Sequence, residues 1–361
     1  MACSLLATHQ CKLHLVGIFG QPMTGQDINI HRVERKFSTG LFRLILPVIY
    51  YRTYIKVKPD IIIVNTHELL IVTLLYKILF GSRMIYDVQE NYFRNIRFQN
   101  NHFILLKPFL AGYVRLIEYF ASFFFDHALL AEQIYLKQLP FLKKKSLVIE
   151  NKYAPLEGIG LRAVKENKKT TFLIYGTIAK EYGVFEGIHF FSHLKTFMPD
   201  IHLKIIGHCP NNETFKALQQ YVVTREDIDL KIEKNPLSHN TLMREMIQSS
   251  FVLMPYQDNP SIRGKIPTKL YECLALHVPV VMSRLDPWTD LIRGKKAGYC
   301  IDFNKNNEDL SHLASQLKTA SFYDKTNNTD MFWSSDEKRF LTLIEKVLGN
   351  ALLAEHSKPN P

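Results

Sequence analysis

Residues 265–283 read KIPTKLYECLALHVPVVMS, and this stretch sets the fold. Pro267 suits the first turn of a helix, where its missing N–H costs nothing, and His277 with Pro279 stops the helix before an apolar strand. The spacing predicts a short helix over roughly 267–277. Leu270, Cys273, Leu274 and Ala275 fall on its inward face, while Lys265, Lys269 and Glu272 recur on the other at three- and four-residue spacing. Arg263, Lys265 and Lys269 crowd the N-terminal end, where free backbone N–H groups and the helix dipole favour anions. Cations are a poor choice there unless an anion fills the site. A diphosphate would supply it, and Glu272, one turn further on, could hold the two vicinal hydroxyls of a ribose. The same spacing also describes a solvated Lys269–Glu272 pair worth roughly a few tenths of a kcal/mol.

Outward from this stretch, apolar strand signals alternate with helical ones. The first half runs KLHLVGIFG, a basic amphipathic stretch FSTGLFRLILPVIYYRTYIKV, DIIIVNT, the helix LLIVTLLYKILFG, SRMIYDV, the helix VRLIEYFASFFF and DHALLAE. Between 151 and 170 the text turns polar and lysine-rich, a domain boundary. The pattern then restarts with TTFLIYG, VFEGIHFFSHLKTF, IHLKIIG, NETFKALQQYVV, TLMREMIQSS and FVLMPY before the opening stretch. Continuous apolar runs separated by helices imply parallel sheets covered on both faces. The expectation is an α/β protein of two Rossmann-like domains facing a cleft: 1–155, which opens one element late, either because the start is misassigned or because the domain lacks its first strand, and 156–335, followed by a helix and tail over 336–361. Ligands of such sheets bind beyond the carboxyl ends of the strands. Gly176 and Gly207, at two strand ends, would let a backbone approach a nucleotide or would simply turn the chain.

The 361 residues exceed the ~250–300 at which one core stops growing. A 47% apolar and 22% charged composition is that of an ordinary globular chain. Five cysteines, widely spaced and never C-x-x-C, argue against a disulfide framework or structural zinc and fit a reducing cytoplasm. No signal peptide and no membrane span of ~18 apolar residues is expected. Residues 1–165 hold 21 Lys and Arg against 11 Asp and Glu, and the remainder 24 against 23, so ten of the eleven net positive charges lie in the first half. An anionic partner for that domain follows: a membrane surface or phosphorylated lipid, rather than nucleic acid, for which no binding module is present. FRLILPVIYYRTYIKVK, mixing Phe, Leu and Tyr with Arg and Lys, can lie in a membrane interface or face a core.

The segment SIRGKIPTKLYECLALHVPVVMSRLDPW resembles the donor-site signature of the group 1 (family 4) glycosyltransferases, retaining enzymes of the GT-B fold, in which P-x-K-x-x-E-x-x-A runs into PVV. KPDIIIVNTHE, RMIYDVQE, LVIENKY, FLIYGT, LKIIG, FVLMPY and AGYCIDF agree with it in order, over roughly residues 55–350. The resemblance implies that Glu272 holds the nucleotide ribose and that Lys269 faces the diphosphate. Thr268, Gly176, Thr177, Lys180, Gly207 and Asp258 join the donor side. The chain departs from the pattern at Gly264, where a second glutamate is usual and Asp258 is the nearest upstream acid. It departs also at Thr177 and Tyr182, where Arg and Lys are common, so that Lys180, Arg263 or Lys265 would carry the diphosphate charge. Asp87, Val88, Gln89 and Glu90 stand where D-x-H-E is usual.

Breaking a sugar–diphosphate bond calls for stabilising the leaving group and positioning the acceptor hydroxyl. Lys269, Arg263 and Lys265 would serve the first, and Asp87 and Glu90, with His67 and Asn91 on the acceptor side, the second. Asp87 and Glu90 read equally as loop carboxylates capping a helix. DID at 227–229 is expected in an exposed charged stretch, so neither metal nor cofactor is expected. The expected partners are a nucleotide-sugar donor and a glycan or lipid-linked acceptor in cell-surface polysaccharide assembly. The expected location is cytoplasmic and peripheral at the inner face of the membrane. The alternatives are a nucleotide-sugar epimerase on the same fold and a partner subunit that binds without turnover.

Overall fold

The computed structural model describes residues 1–8, 11–18, 28–34, 44–98, 105–161, 169–304, 309–323 and 327–356. The start of the basic amphipathic stretch, 37–43, and the lysine-rich part of the expected linker, 162–168, lie outside them. The chain divides into two compact units, Met1–Asn151 with Ser334–Pro361, and Lys152–Trp333.

In the first unit β1 (Leu13–Gly17) pairs with β2 (Ile28–Arg32). β3 (Ile61–Val64), β4 (Arg83–Val88), β5 (His127–Leu130) and β6 (Ser146–Val148) form a parallel sheet in sequence order. Its core gathers Met84, Tyr86, Val88 and Leu130 from the strands with Leu70, Tyr76 and Ala121 from the covering helices. The basic amphipathic segment is the helix Leu46–Val57, with Tyr54 turned into the core and Val48 and Ile55 exposed. The final helix, Ser334–His356, belongs to this unit.

The second unit is one sheet of six parallel strands: β7 (Thr170–Thr177), β8 (Ile201–His208), β9 (Ile228–Glu233), β10 (Phe251–Met254), β11 (Val280–Ser283) and β12 (Gly298–Ile301). Their spatial order is β12-β11-β10-β7-β8-β9. Along β7 the pleat sends Leu173 and Tyr175 into one core and Phe172 and Ile174 into the other. Helices on both faces explain why the inner strands read as apolar runs, FLIY in β7, FVLM in β10 and VVM in β11.

β9 corrects the reading of the DID triplet as an exposed charged stretch: Ile228 is buried and Asp227 and Asp229 are partly buried. It is an edge strand, IDLKIE, whose charged residues alternate with apolar ones. Asp227 just before it accepts two hydrogen bonds from Arg225, at 2.8 and 2.9 Å, and one contact from Lys195 at 2.9 Å. The Arg225 guanidinium holds its carboxyl well below the usual range.

Candidate functional site

The strand order of the second unit reverses between β7 and β10. Beyond the carboxyl ends of two such strands an open parallel sheet leaves a crevice. β7 brings Tyr175, Gly176 and Thr177 to that point, and Pro255 and Tyr256 follow β10. The opening stretch supplies the helix Thr268–Ala275, shorter than expected. Pro267 is its N-cap and offers no side-chain bond to the first turn. His277 closes the other end with φ +58°, a left-handed turn that residues other than glycine seldom take, and its ring stacks on Tyr323 at 4.8 Å.

The charged face of this helix is not solvated. Glu272 is 5% exposed. The Tyr175 hydroxyl donates to its Oε2 at 2.6 Å, and His239 Nε2 lies 2.8 Å from Oε1. The bond to Glu272 raises the pKa of His239. A surface Lys269–Glu272 pair is therefore excluded by burial rather than by spacing. Lys269 is partly buried, with Nζ 5.3 Å from the centre of the Tyr175 ring and 5.8 Å from that of Tyr256. Burial pushes its pKa down to about 8, against the pull of Glu272. It makes no ion pair among the described residues.

Gly176 makes room for this lysine. Its φ is +89°, and a Cβ there would lie 2.7 Å from Lys269 Cε and 3.1 Å from Nζ. Gly207, its register partner on β8, is glycine for a different reason. A Cβ there would stand 1.9 Å from the Gly176 carbonyl oxygen, so the neighbouring strand accounts for it without a ligand. Thr177, Tyr182, Tyr256 and Lys269 line a space of about 10 Å³, which is about what one water needs. Thr268 and Lys180 are exposed on either side of it in sequence, in the first turn of the helix and in the turn Lys180–Tyr182.

Arg263 is turned to Asp258, its Nε and Nη2 donating to the two carboxylate oxygens at 2.9 and 2.6 Å in an exposed pair. Both were candidates for donor contacts, and each is occupied by the other. The backbone carbonyl of Lys265 accepts the Trp288 indole N–H. Tyr175, Tyr256 and His239 were missed by sequence reasoning. The first two stand at the ends of FLIY and FVLMPY, a signal that strand-end position alone could have carried. His239 lies 33 residues from Glu272 and left none.

In the first unit Asp87, 7% exposed, is the penultimate residue of β4. Burial raises its pKa to about 6, although Gln89 Nε2 donates to both of its oxygens at 2.7 Å. Glu90 is exposed and accepts from Asn95 Nδ2. Asn91 is spent within the unit: Nδ2 donates to Gln138 at 2.7 Å and Oδ1 accepts from Arg115 at 3.0 Å. His67 packs at 4.6 Å on the Tyr92 ring. The pH behaviour of Asp87 follows from its raised pKa. Between about pH 4 and 6 the folded protein keeps a proton that the unfolded chain has lost, so stability falls as pH rises through that window. Asp87→Asn should flatten the fall, worth up to about 3 kcal/mol, in urea denaturation from pH 4 to 7. A slope equal to that of the unaltered protein would place the titration elsewhere.

Residues 162–329, which include the whole β7–β12 sheet, match the family model described as glycosyl transferases group 1. No curated protein matches the chain by sequence. The fold recurs in solved structures at low identity. Sucrose-phosphate synthase from Thermosynechococcus elongatus superposes with a TM-score of 0.70 at 11% identity, over 96% of this chain and 91% of that one. WaaG, a glycosyltransferase involved in lipopolysaccharide biosynthesis, gives 0.59 at 12%, over 88% and 85%. HepE of Anabaena in complex with UDP gives 0.55 at 12%, over 92% and 86%. The expected α/β architecture of two parallel-sheet units, the GT-B fold, is the one observed. Among the described residues no helix is long and apolar enough to cross a membrane.

Proposed function

We propose that the protein is a retaining glycosyltransferase, moving a sugar from a nucleotide-sugar donor to a glycan or lipid-linked acceptor in cell-surface polysaccharide or glycoconjugate assembly. The observation that carries this reading is Lys269, a partly buried cation laid over Gly176 at the point where the strand order reverses, beside a helix N-terminus that no side chain caps. A desolvated positive charge beside free N–H groups is costly until an anion arrives. The match of residues 162–329 to the group 1 family supports a nucleotide diphosphate as that anion.

In the reaction the bond from the anomeric carbon to the diphosphate oxygen breaks, and the acceptor oxygen bonds to the same face of that carbon. The acceptor proton leaves with the diphosphate. Lys269 and the helix N–H groups stabilise the departing charge. Glu272 holds the ribose, and Asp87 and Glu90 orient the acceptor. No step requires a divalent ion.

A panel of nucleotide sugars, assayed for nucleotide release with and without EDTA, tests this. Release with one donor, unchanged by chelator, together with a product of retained configuration, is the expected result. Release of a free, altered sugar would mark an epimerase. Thermal shift with no release from any donor would mark a binding subunit and end the transferase reading.

A further inference from the structure

The first unit holds a cavity of about 950 Å³, at the upper end of the ~300–1,000 Å³ typical of small-molecule sites. Four helices wall it: Leu46–Val57, Leu70–Phe80, Tyr92–Phe98 and Lys107–Ser122. Its lining is mainly apolar and includes Val48, Ile71, Leu75, Leu110 and Ile117. Val48, Ile71 and Leu75 remain 50–52% exposed, an apolar wall that nothing in the described structure covers. One region of the lining is polar. Asn95, 8% exposed, donates through Nδ2 to Glu90, which fixes its amide orientation. Its buried Oδ1 has no hydrogen-bond partner among the described residues. Glu90, His67 and Tyr92 also line this part of the cavity.

A buried acceptor without a donor is an unmet demand. The carboxylate beside it is a second acceptor. Together they call for hydroxyl groups, and they disfavour a phosphate or a carboxylate head. The walls call for hydrocarbon. We infer that the cavity binds a single-chain amphiphile, with the alkyl chain between these helices and a hydroxyl-bearing, uncharged head on Asn95 and Glu90. Ile78 (62% exposed) and Phe109 (78%), each next in sequence to a cavity residue, Leu79 and Leu110, leave further apolar surface open on two of these helices, which suits delivery from a lipid phase. Binding itself stands on the first unit alone; that the head is the sugar acceptor rests on the transferase reading.

Dodecyl maltoside below its micelle concentration serves as the probe, titrated into the whole protein by calorimetry. One molecule should bind per chain, maltose should not bind, and dodecylphosphocholine, whose head offers no hydrogen-bond donor, should bind at least tenfold more weakly. Ile71→Trp and Leu75→Trp, both at half-exposed positions in the wall, should each weaken binding at least tenfold with the melting temperature kept. Phe120→Ser, at an exposed apolar position that does not line the cavity, should change nothing. Equal binding by both tryptophan variants, equal loss in Phe120→Ser, or several molecules per chain would mean adsorption to surface and overturn the site. A dimer of the ligand-free protein that both tryptophan variants abolish would assign the cavity to a second copy instead. Nucleotide binding in the same preparation reports the second unit separately, so failure of either reading leaves the other standing.

Discussion

Replacing Lys269 by methionine is expected to lower sugar transfer more than tenfold and, at neutral pH, to make the protein more stable. The two effects have one cause. Burial lowers the lysine pKa from 10.5 to about 8, so below pH 8 the folded protein carries a charge that its surroundings disfavour. At about 1.4 kcal/mol per unit, the cost is up to about 3 kcal/mol. Methionine removes the charge and keeps the apolar stem over Gly176, so the melting temperature should rise by several degrees. The sign of the pH dependence follows from the same shift. Between about pH 8 and 10.5 the folded protein has shed a proton that the unfolded chain still holds, so the unaltered protein gains stability as pH rises and the variant's advantage disappears. Nucleoside diphosphate affinity should move the other way, falling above about pH 8 in the unaltered protein and staying flat in the variant. Calorimetric unfolding and nucleotide titration from pH 7 to 10 check both. A variant less stable than its parent, with nucleotide affinity unchanged, would make Lys269 a packing residue.

Much of this site was legible in the sequence because it is local. The helix, its two stops, and the placing of Lys269 and Glu272 one turn apart all lie within KIPTKLYECLALHVPVVMS. The covered parallel sheets were legible too, since β7, β10 and β11 carry runs of apolar residues that only two-sided burial tolerates. What was not legible depends on contacts between distant segments. Whether Glu272 faces water is decided by Tyr175 and His239, which lie 97 and 33 residues away. Gly176 and Gly207 look alike in sequence, yet one yields space to a lysine and the other to a neighbouring carbonyl. β9 went unread because an edge strand solvated on one side needs few apolar residues. Arg263 and Asp258, five residues apart, close on one another, which spacing permits but does not require.

Glu272 is where alanine and glutamine should part most clearly. Both substitutions remove the negative charge offered to a ribose, and both should weaken nucleotide binding by roughly tenfold, about 1.4 kcal/mol. Only alanine also leaves the fully buried Tyr175 hydroxyl without its carboxylate, with only sulfur partners beside it, Met246 at 3.3 Å and Cys273. Sulfur is a weak acceptor, so the alanine variant should lose a further ~1–3 kcal/mol of stability. Glutamine can still accept from Tyr175 and donate to a neutral His239. The His239–Glu272 bond adds a pH signature. Because the folded pKa of His239 is raised above 6.5, its contribution to stability is complete below that pH and is lost as pH rises through the higher folded value. The imidazole is about half exposed, which keeps the amplitude small. Both Glu272 variants should lack it, and His239→Ala should lack it while retaining the Tyr175 bond and a folded site. Urea denaturation at pH 5.5, 7 and 8.5, run beside nucleotide titrations, separates the two contributions. Alanine and glutamine variants of equal stability would show that Tyr175 does not depend on the carboxylate, and undiminished nucleotide affinity in both would remove Glu272 from the donor site.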